Sequence, residues 1–392
     1  MVELLAPAGN FTKLKTAFYF GADACYLGGK LFSLRSLSDN FTEEELDSAT
    51  KLAHSLGKKV YVTVNIFAKN ADFGALSAFA ETLERIGVDA VLVSDPGVIY
   101  LFKKVAPKLT IHLSTQANTT NAMAVRFWKE QGLSRVVLAR ELSLNEIREI
   151  HEQVPDIELE AFVHGAMCIS YSGRCLLSDY LDGRASNRGA CVQACRWKYD
   201  IRKSGVGEDG GYLGVEETDR GTFFMNSKDL NMAKFLKEMQ DAGVVSFKIE
   251  GRMKSEYYLA TVVNAYRRAI DGGYSNLVEE ELLAAAHRDY TTAYMLGENK
   301  KTVNYSDSQS KGTCEFIGTV VGREGDYALV EMRNRFYSTD TLEILTPGTM
   351  RSFTVGTMLL PDGTETDDAK LVQGIYRVKT DASVGDVLRR RK

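Results

Sequence analysis

The chain has 392 residues, is 44% apolar and 26% charged, and carries 33 glycines and 6 prolines, proportions that exclude disordered, collagen-like and low-complexity proteins. A formal net charge of -4 provides no broad basic field, so any contact with nucleic acid must be made by a local patch. The N-terminal residues show no basic stretch followed by an apolar core, and no apolar run approaches the roughly 18 residues of a membrane span, so a cytoplasmic protein is expected.

Short apolar runs recur at residues 3–6, 24–27, 60–65, 90–94, 110–114, 135–139, 158–163 and 244–249. Amphipathic stretches such as 73–86 and 144–153 separate most of them, with apolar residues three and four apart. That alternation predicts parallel strands joined by crossover helices, and eight such units predict a TIM-like (β/α)8 barrel, an α/β fold. Ala6-Pro7-Ala8-Gly9-Asn10 follows the first run where a doubly wound sheet would carry a Gly-rich phosphate loop. Several runs end in polar residues, at Asn65, Ser94-Asp95, Ser114-Thr115-Gln116, Arg140-Glu141, His164 and Glu250 with Arg252. Strand C-termini form the catalytic face of such a barrel.

About eighty residues separate the seventh and eighth runs, which places a Cys-rich insertion at about 165–225 on that face, with a Gly-rich region at 205–214. The barrel domain is expected over 1–300. A small C-terminal all-β barrel domain is expected over 311–392, with strands at 314–321, 327–332, 341–344 and 375–378 punctuated by Gly-Asp, Pro-Gly and Asp-Gly turns. Its last residues, Arg389-Arg390-Arg391-Lys392, are expected to be a frayed, solvated tail.

Cys168, Cys175, Cys191 and Cys195 follow a C-x6-C-x15-C-x3-C pattern in a chain with only two other cysteines. Four thiolates on one insertion suit a tetrahedral metal or an iron-sulfur cluster. The wide gaps fit a 4Fe-4S cluster better than the tight turns of structural zinc, which stays the alternative. The segment 165–203 also holds seven Lys or Arg against three Asp, interleaved with Tyr171, Tyr180, Trp197 and Tyr199. Such a surface can bind phosphates and stack on unpaired bases, or can be a solvated loop whose rings pack beneath the cysteines.

The run Glu160-x-Phe162-x-x-Gly165-Ala166-Met167-Cys168, followed by Gly173-x-Cys175-x-Leu177-Ser178, resembles the collagenase-like peptidase family U thirty-two, of unassigned catalytic type. Gly189 to Trp197, Asn226-Ser227-Lys228-Asp229-Leu230 and Lys248-Ile249-Glu250-Gly251-Arg252-x-Lys254-Ser255 extend the resemblance. It is most similar to the branch acting in prephenate-dependent 5-hydroxylation of the tRNA wobble uridine. The resemblance implies tRNA and prephenate as partners, a second subunit of the same family as a further candidate, and an iron-sulfur centre. Related ubiquinone-pathway proteins share three of the ligands, so Cys25 stands as fallback to Cys195 for the fourth.

If prephenate binds, its two carboxylates need cations, and Lys228, Lys248, Arg252 and Lys254 are the candidates near the end of the eighth run. Arg252 is the first choice because a guanidinium pairs bidentately with a carboxylate. His164 and Glu250 are the catalytic candidates. His164 reads somewhat better as a residue fixing its loop, and Glu250 equally well as the ion-pair partner of Arg252. No H-E-x-x-H or G-x-S-x-G motif supports hydrolysis. A collagenase-like peptidase and a non-catalytic RNA-binding protein with structural zinc remain the alternative readings.

Overall fold

The computed structural model describes residues 2–34, 39–197, 226–297, 302–303 and 309–392. The chain forms two compact units, one of residues 1–11, 24–253 and 288–310, the other of 12–23, 254–287 and 311–392. Among the described residues no helix is long and apolar enough to cross a membrane.

The first unit is built on strands β1 (Glu3–Pro7), β2 (Ala24–Gly28), β3 (Lys59–Val64), β4 (Ala90–Val93), β5 (Ile111–Leu113), β6 (Arg135–Val137) and β7 (Glu158–Ala166). With β8 (Asp229–Asn231), β9 (Val244–Ile249) and the short β10 (Tyr290–Thr291) these complete its main sheet. Strands β1 to β7 pair in parallel in sequence order, and β9 closes the ring by pairing in parallel with both β7 and β1. This is the expected eight-stranded TIM-like barrel, and its strands read as nearly unbroken buried runs because both faces are covered. Lys248 on β9 stands in register with Leu5 and Phe162, which puts a charged residue where the barrel closes.

In chain order the helices are α1 (Phe11–Tyr19), α2 (Glu43–Ser55), α3 (Phe73–Ile86), α4 (Pro96–Val105), α5 (Ala122–Glu130), α6 (Leu144–Gln153), α7 (Leu177–Asp182), α8 (Leu236–Asp241), α9 (Glu256–Gly272) and α10 (Asn276–Ala284). Their ends follow local chemistry. Thr42 with Glu45 and Ser143 with Glu146 form capping boxes on α2 and α6, and α3 stops at Gly87, whose φ of 78° is a left-handed conformation. Sequence periodicity missed β8, which runs antiparallel to the end of β7, and β10 (Tyr290–Thr291) beside it. Both are too short for a pattern of period two to register.

In the second unit the C-terminal segment is an antiparallel all-β region, as expected. It comprises β11 (Cys314–Glu324), β12 (Tyr327–Met332), β13 (Phe336–Tyr337), β14 (Thr341–Thr346), β15 (Thr349–Thr354), β16 (Met358–Leu359), β17 (Glu365–Thr366), β18 (Asp368–Ala369), β19 (Ile375–Lys379) and β20 (Val387–Arg391). Ile317, Val330, Phe336, Ile344, Tyr376 and Leu388 lie in its core. Gly318 sits at a bulge of β11 where an added Cβ would come 2.6 Å from the Glu331 carbonyl.

One expectation is corrected here. The basic C-terminus is not a frayed tail but strand β20, paired on both sides by β11 and β14. Arg389 is buried, its Nη1 2.7 Å from Glu281 and its Nε 2.8 Å from Glu343. Arg390 reaches Glu315 and Asp340 at 2.7 and 2.8 Å, and Arg391 pairs with Glu343. The acidic partners come from distant positions, so a reading of neighbouring residues saw only uncompensated charge.

Candidate active site

The floor of the barrel interior is a buried charge network rather than the usual apolar layers. Glu160 on β7 is fully buried, 2.7 Å from Lys248 Nζ and 3.1 Å from Arg135 Nη1. Arg135 on β6 also bridges Glu3 and reaches Glu158 at 2.6 Å. The Tyr61 hydroxyl donates to Glu3 at 2.6 Å, and Ser246 Oγ donates to Glu3 at 2.8 Å. Burial alone would raise the Glu160 carboxyl, but Lys248 and Arg135 outweigh it and hold it below the usual carboxylate range. His112, on β5 against the Tyr61 ring, is kept neutral, chiefly by burial and then by Arg135.

Above this floor a cavity open at its mouth occupies the C-terminal end of the barrel. Lys248 forms part of its base, 4.4 Å from the Tyr26 ring centroid and 5.7 Å from that of Phe162. Arg252 enters from the segment after β9, with Nη1 donating to Ser33 Oγ at 2.7 Å and Thr63 Oγ1 at 2.9 Å, and Nη2 to the Leu34 carbonyl at 2.6 Å. Gly28 is what makes room for it, since an added Cβ would lie 2.4 Å from Arg252 Nη1. Arg140, just beyond β6, stacks 3.8 Å over the Phe162 ring centroid and donates to the Ala166 carbonyl at 2.8 Å. Its Nη2 stands 3.7 Å from Glu250, a pair too long for a hydrogen bond. Asn65 and Gln116, joined at 2.9 Å, supply amides to the same wall.

Of the residues singled out in the sequence, Lys248, Glu250 and Arg252 meet in this cavity. Glu250 pairs with Arg140 rather than the expected Arg252. His164 is buried 5.4 Å from the Tyr290 ring centroid and is not among the lining residues, while its carbonyl accepts the Glu250 N–H at 2.8 Å. Lys228 lies 4.0 Å from Asp289, away from the cavity lining. Lys254 belongs to the other unit, where its Nζ stands 3.5 Å from the Ala286 carbonyl and 5.2 Å from the Tyr258 ring centroid. Arg140, noted in the sequence only as a polar residue at a strand end and not chosen as a site candidate, also lines the cavity. Its signal was present as a charged residue directly after an apolar run.

Cys168, Cys175 and Cys191 line the same cavity. The Leu177 N–H donates to Cys175 Sγ at 3.4 Å, and the Gln193 N–H and Ser178 hydroxyl donate to Cys191 Sγ at 3.4 and 3.7 Å. Burial raises the Cys195 thiol, Arg196 opposes the rise, and Cys168, Cys191 and Cys175 add to it, which puts Cys195 within electrostatic reach of the other three. Cys25 does not join them. It is fully buried in β2, on the face opposite its neighbour Tyr26, which lines the cavity. Among the described residues no three His, Cys, Asp or Glu side chains converge closely enough, as placed, to hold a single ion. The donor chemistry nevertheless fits a thiolate-bound centre, with four sulfurs on one insertion and N–H groups already directed at two of them.

The insertion is tied to the barrel by Arg188, which donates to the Phe67 carbonyl at 2.6 Å and to Asp72 at 3.0 and 3.2 Å. Gly173, with φ of 78°, passes so close to Gln116 that a Cβ would lie 2.6 Å from its Cγ. Tyr171, Tyr180 and Trp197 are exposed on the insertion, with Arg174 and Arg184 among them. Lys198, Tyr199, Asp200, Arg202, Lys203 and the Gly-rich region 205–214 lie outside the described residues.

A parallel barrel with a cationic cavity at its mouth and a thiol-bearing insertion over it has the build of a barrel enzyme. The chain belongs to peptidase family U32, whose model matches residues 9–305, and the family's C-terminal domain model matches 312–389. Among curated relatives, "tRNA hydroxylation protein P1" of Bacillus subtilis (strain 168) is 42% identical over 97% of this chain and 92% of its own. "tRNA hydroxylation protein P" of Escherichia coli (strain K12) is 39% identical over 90% of this chain and 88% of its own. A "Collagenase" of Porphyromonas gingivalis is 32% identical over 75% of this chain and 72% of its own.

Proposed function

We propose that this chain is a tRNA-modifying enzyme of the cytoplasm that hydroxylates carbon 5 of the wobble uridine, with prephenate as co-substrate and a 4Fe-4S cluster held by Cys168, Cys175, Cys191 and Cys195. The observation that carries the reading is the meeting of three cations, Lys248, Arg252 and Arg140, with three of those thiols in one cavity. The relatives named for tRNA hydroxylation match nearly the whole chain and support it.

Arg252, held rigid by Ser33, Thr63 and Leu34, presents its guanidinium to a carboxylate without having to be ordered on binding. Lys248, fixed by Glu160, adds positive charge at the base of the cavity. Glu250, lining the cavity beside Arg140, is the carboxylate placed to accept or return a proton at the mouth. Asn65 and Gln116 offer amides to the edge of a pyrimidine. The cluster, when bound, supplies the electron-transfer capacity that hydroxylation requires and hydrolysis does not. A second subunit of the same family is a further proposed partner.

Bulk tRNA from an oxygen-free culture of the host, with and without this gene, is digested and its 5-hydroxyuridine derivatives quantified by mass spectrometry. The modification is expected to disappear without the gene and to return with the intact gene but not with a Cys175→Ala copy. Unchanged levels in the gene's absence would overturn the proposal, and cleavage of denatured collagen by metal-free protein would favour the peptidase reading instead.

A further inference from the structure

The buried arginines of the described residues differ in what they face. Arg135 reaches Glu158 at 2.6 Å, Arg288 reaches Asp229 at 2.6 Å and Arg389 reaches Glu281 at 2.7 Å, so each has a carboxylate at hydrogen-bonding distance. Arg252 donates instead to Ser33, Thr63 and the Leu34 carbonyl. Arg140 follows neither pattern. It donates to the Ala166 carbonyl at 2.8 Å, and the carboxylate facing its Nη2, that of Glu250, stands off at 3.7 Å. A buried guanidinium with so few acceptors costs free energy, which a carboxylate closing on Nη2 would recover.

Strand β7 fixes both partners from between them. Arg140 follows β6 and Glu250 follows β9, the strands that pair with β7 on its two sides. The Phe162 ring of β7 lies 3.8 Å beneath the Arg140 guanidinium, and the Ala166 carbonyl of β7 holds its Nη1. The His164 carbonyl of β7 accepts the Glu250 N–H at 2.8 Å, so the Glu250 backbone is held independently of its side chain. The guanidinium is therefore preorganised by the barrel, while its distance from Glu250 leaves room for a shorter contact. Arg140, Glu250 and Arg252 all line the one cavity.

We infer that Arg140 takes the second carboxylate of a dicarboxylic co-substrate, the first going to Arg252, and that Glu250 stands in for this carboxylate while the cavity is empty. The inference rests on the co-substrate reading above and deepens it, because it makes Arg140 the residue that distinguishes a dicarboxylate from a monocarboxylate. A substrate carboxylate that closes on Nη2 displaces the Glu250 carboxylate from Arg140. Glu250 is then at the mouth, beside the bound acid, where a proton acceptor is wanted.

The test is a cycle between protein variants and ligand carboxylates. Isothermal titration calorimetry measures binding to the holoprotein, without oxygen, of prephenate and of two acids that each keep one of its carboxylates: phenylpyruvate keeps that of the side chain and cyclohexa-2,5-diene-1-carboxylate that of the ring. Arg140→Gln should weaken prephenate about ten-fold or more, the range for loss of a charge-assisted hydrogen bond. The two monoacids should divide. One should lose affinity in Arg140→Gln and keep it in Arg252→Gln, and the other should do the reverse. Arg140→Lys, which keeps the charge, should restore part of the loss. Glu250→Gln removes the competing charge and leaves the backbone tie to His164 in place, so prephenate should bind about two- to five-fold tighter.

Normal prephenate binding by Arg140→Gln, equal losses for both monoacids in that variant, or unchanged or weaker binding by Glu250→Gln would overturn the inference while leaving prephenate as co-substrate. A holoprotein that does not bind prephenate at all would overturn that reading and the inference with it.

Discussion

At the scale of single residues, the barrel floor shows how an energetically costly group is kept for its effect on a neighbour. Glu160 has no exposed surface and two cationic partners, so removing its charge leaves Lys248 and Arg135 buried with one counter-charge fewer. Glu160→Gln is expected to lower stability by about 3 to 5 kcal/mol, the range for breaking a buried ion pair from one side, as read by urea denaturation. The pH dependence has a definite sign. The folded carboxyl titrates below its unfolded value of about 4.3, so its contribution is complete above that value and fades as pH falls through the lower, folded one. The stability gap between wild type and Glu160→Gln should therefore be constant near neutrality and narrow in acid. A gap that stays constant into strong acid would contradict an ionised Glu160. Lys248, Glu250 and Arg252 were legible in the sequence because they cluster at the end of one strand, whereas the Glu160 to Lys248 pairing joins positions 88 residues apart.

At the scale of elements, the insertion after β7 depends on close backbone approach. Gly173 combines a left-handed φ with a 2.6 Å approach of a would-be Cβ to Gln116, so Gly173→Ala is strained and crowded at once. The barrel strands do not depend on that contact. With the proposed iron-sulfur centre, the expected outcome is a near-normal thermal midpoint with sharply reduced iron content and visible absorbance. Full iron retention in this variant would mean that the insertion's docking does not govern the cysteine site. The sequence showed the existence and position of the insertion through a break in the spacing of apolar runs. It did not show Arg188 reaching across to Phe67 and Asp72, because that tie crosses more than a hundred residues.

For the whole molecule, the grouping of the chain is not linear. The second unit takes residues 12–23 and 254–287 together with the C-terminal segment, although the apolar periodicity divides the chain into consecutive blocks. Its buried centre includes Arg389, held by Glu281 of α10 and Glu343 of β14. Arg389→Leu strips the guanidinium from two carboxylates that are 4% and 8% exposed, and a loss of about 3 to 5 kcal/mol is expected for this unit. Differential scanning calorimetry should show the loss. A variant as stable as the wild type would mean that the two carboxylates find protons or other partners once the arginine is gone.

By itself the sequence determined the eight-stranded parallel barrel, the antiparallel C-terminal region and the cysteine-bearing insertion, because each is written in local periodicity and spacing that neighbouring residues suffice to express. The tertiary structure decided which of the candidate cations share a cavity, that Arg140 rather than Arg252 faces Glu250, that Cys195 and not Cys25 accompanies the other thiols, and that the basic C-terminus is a buried strand. These outcomes depend on strand alternation and on partners far apart in the chain. Such contacts exist only once the barrel has closed and the sheet has formed.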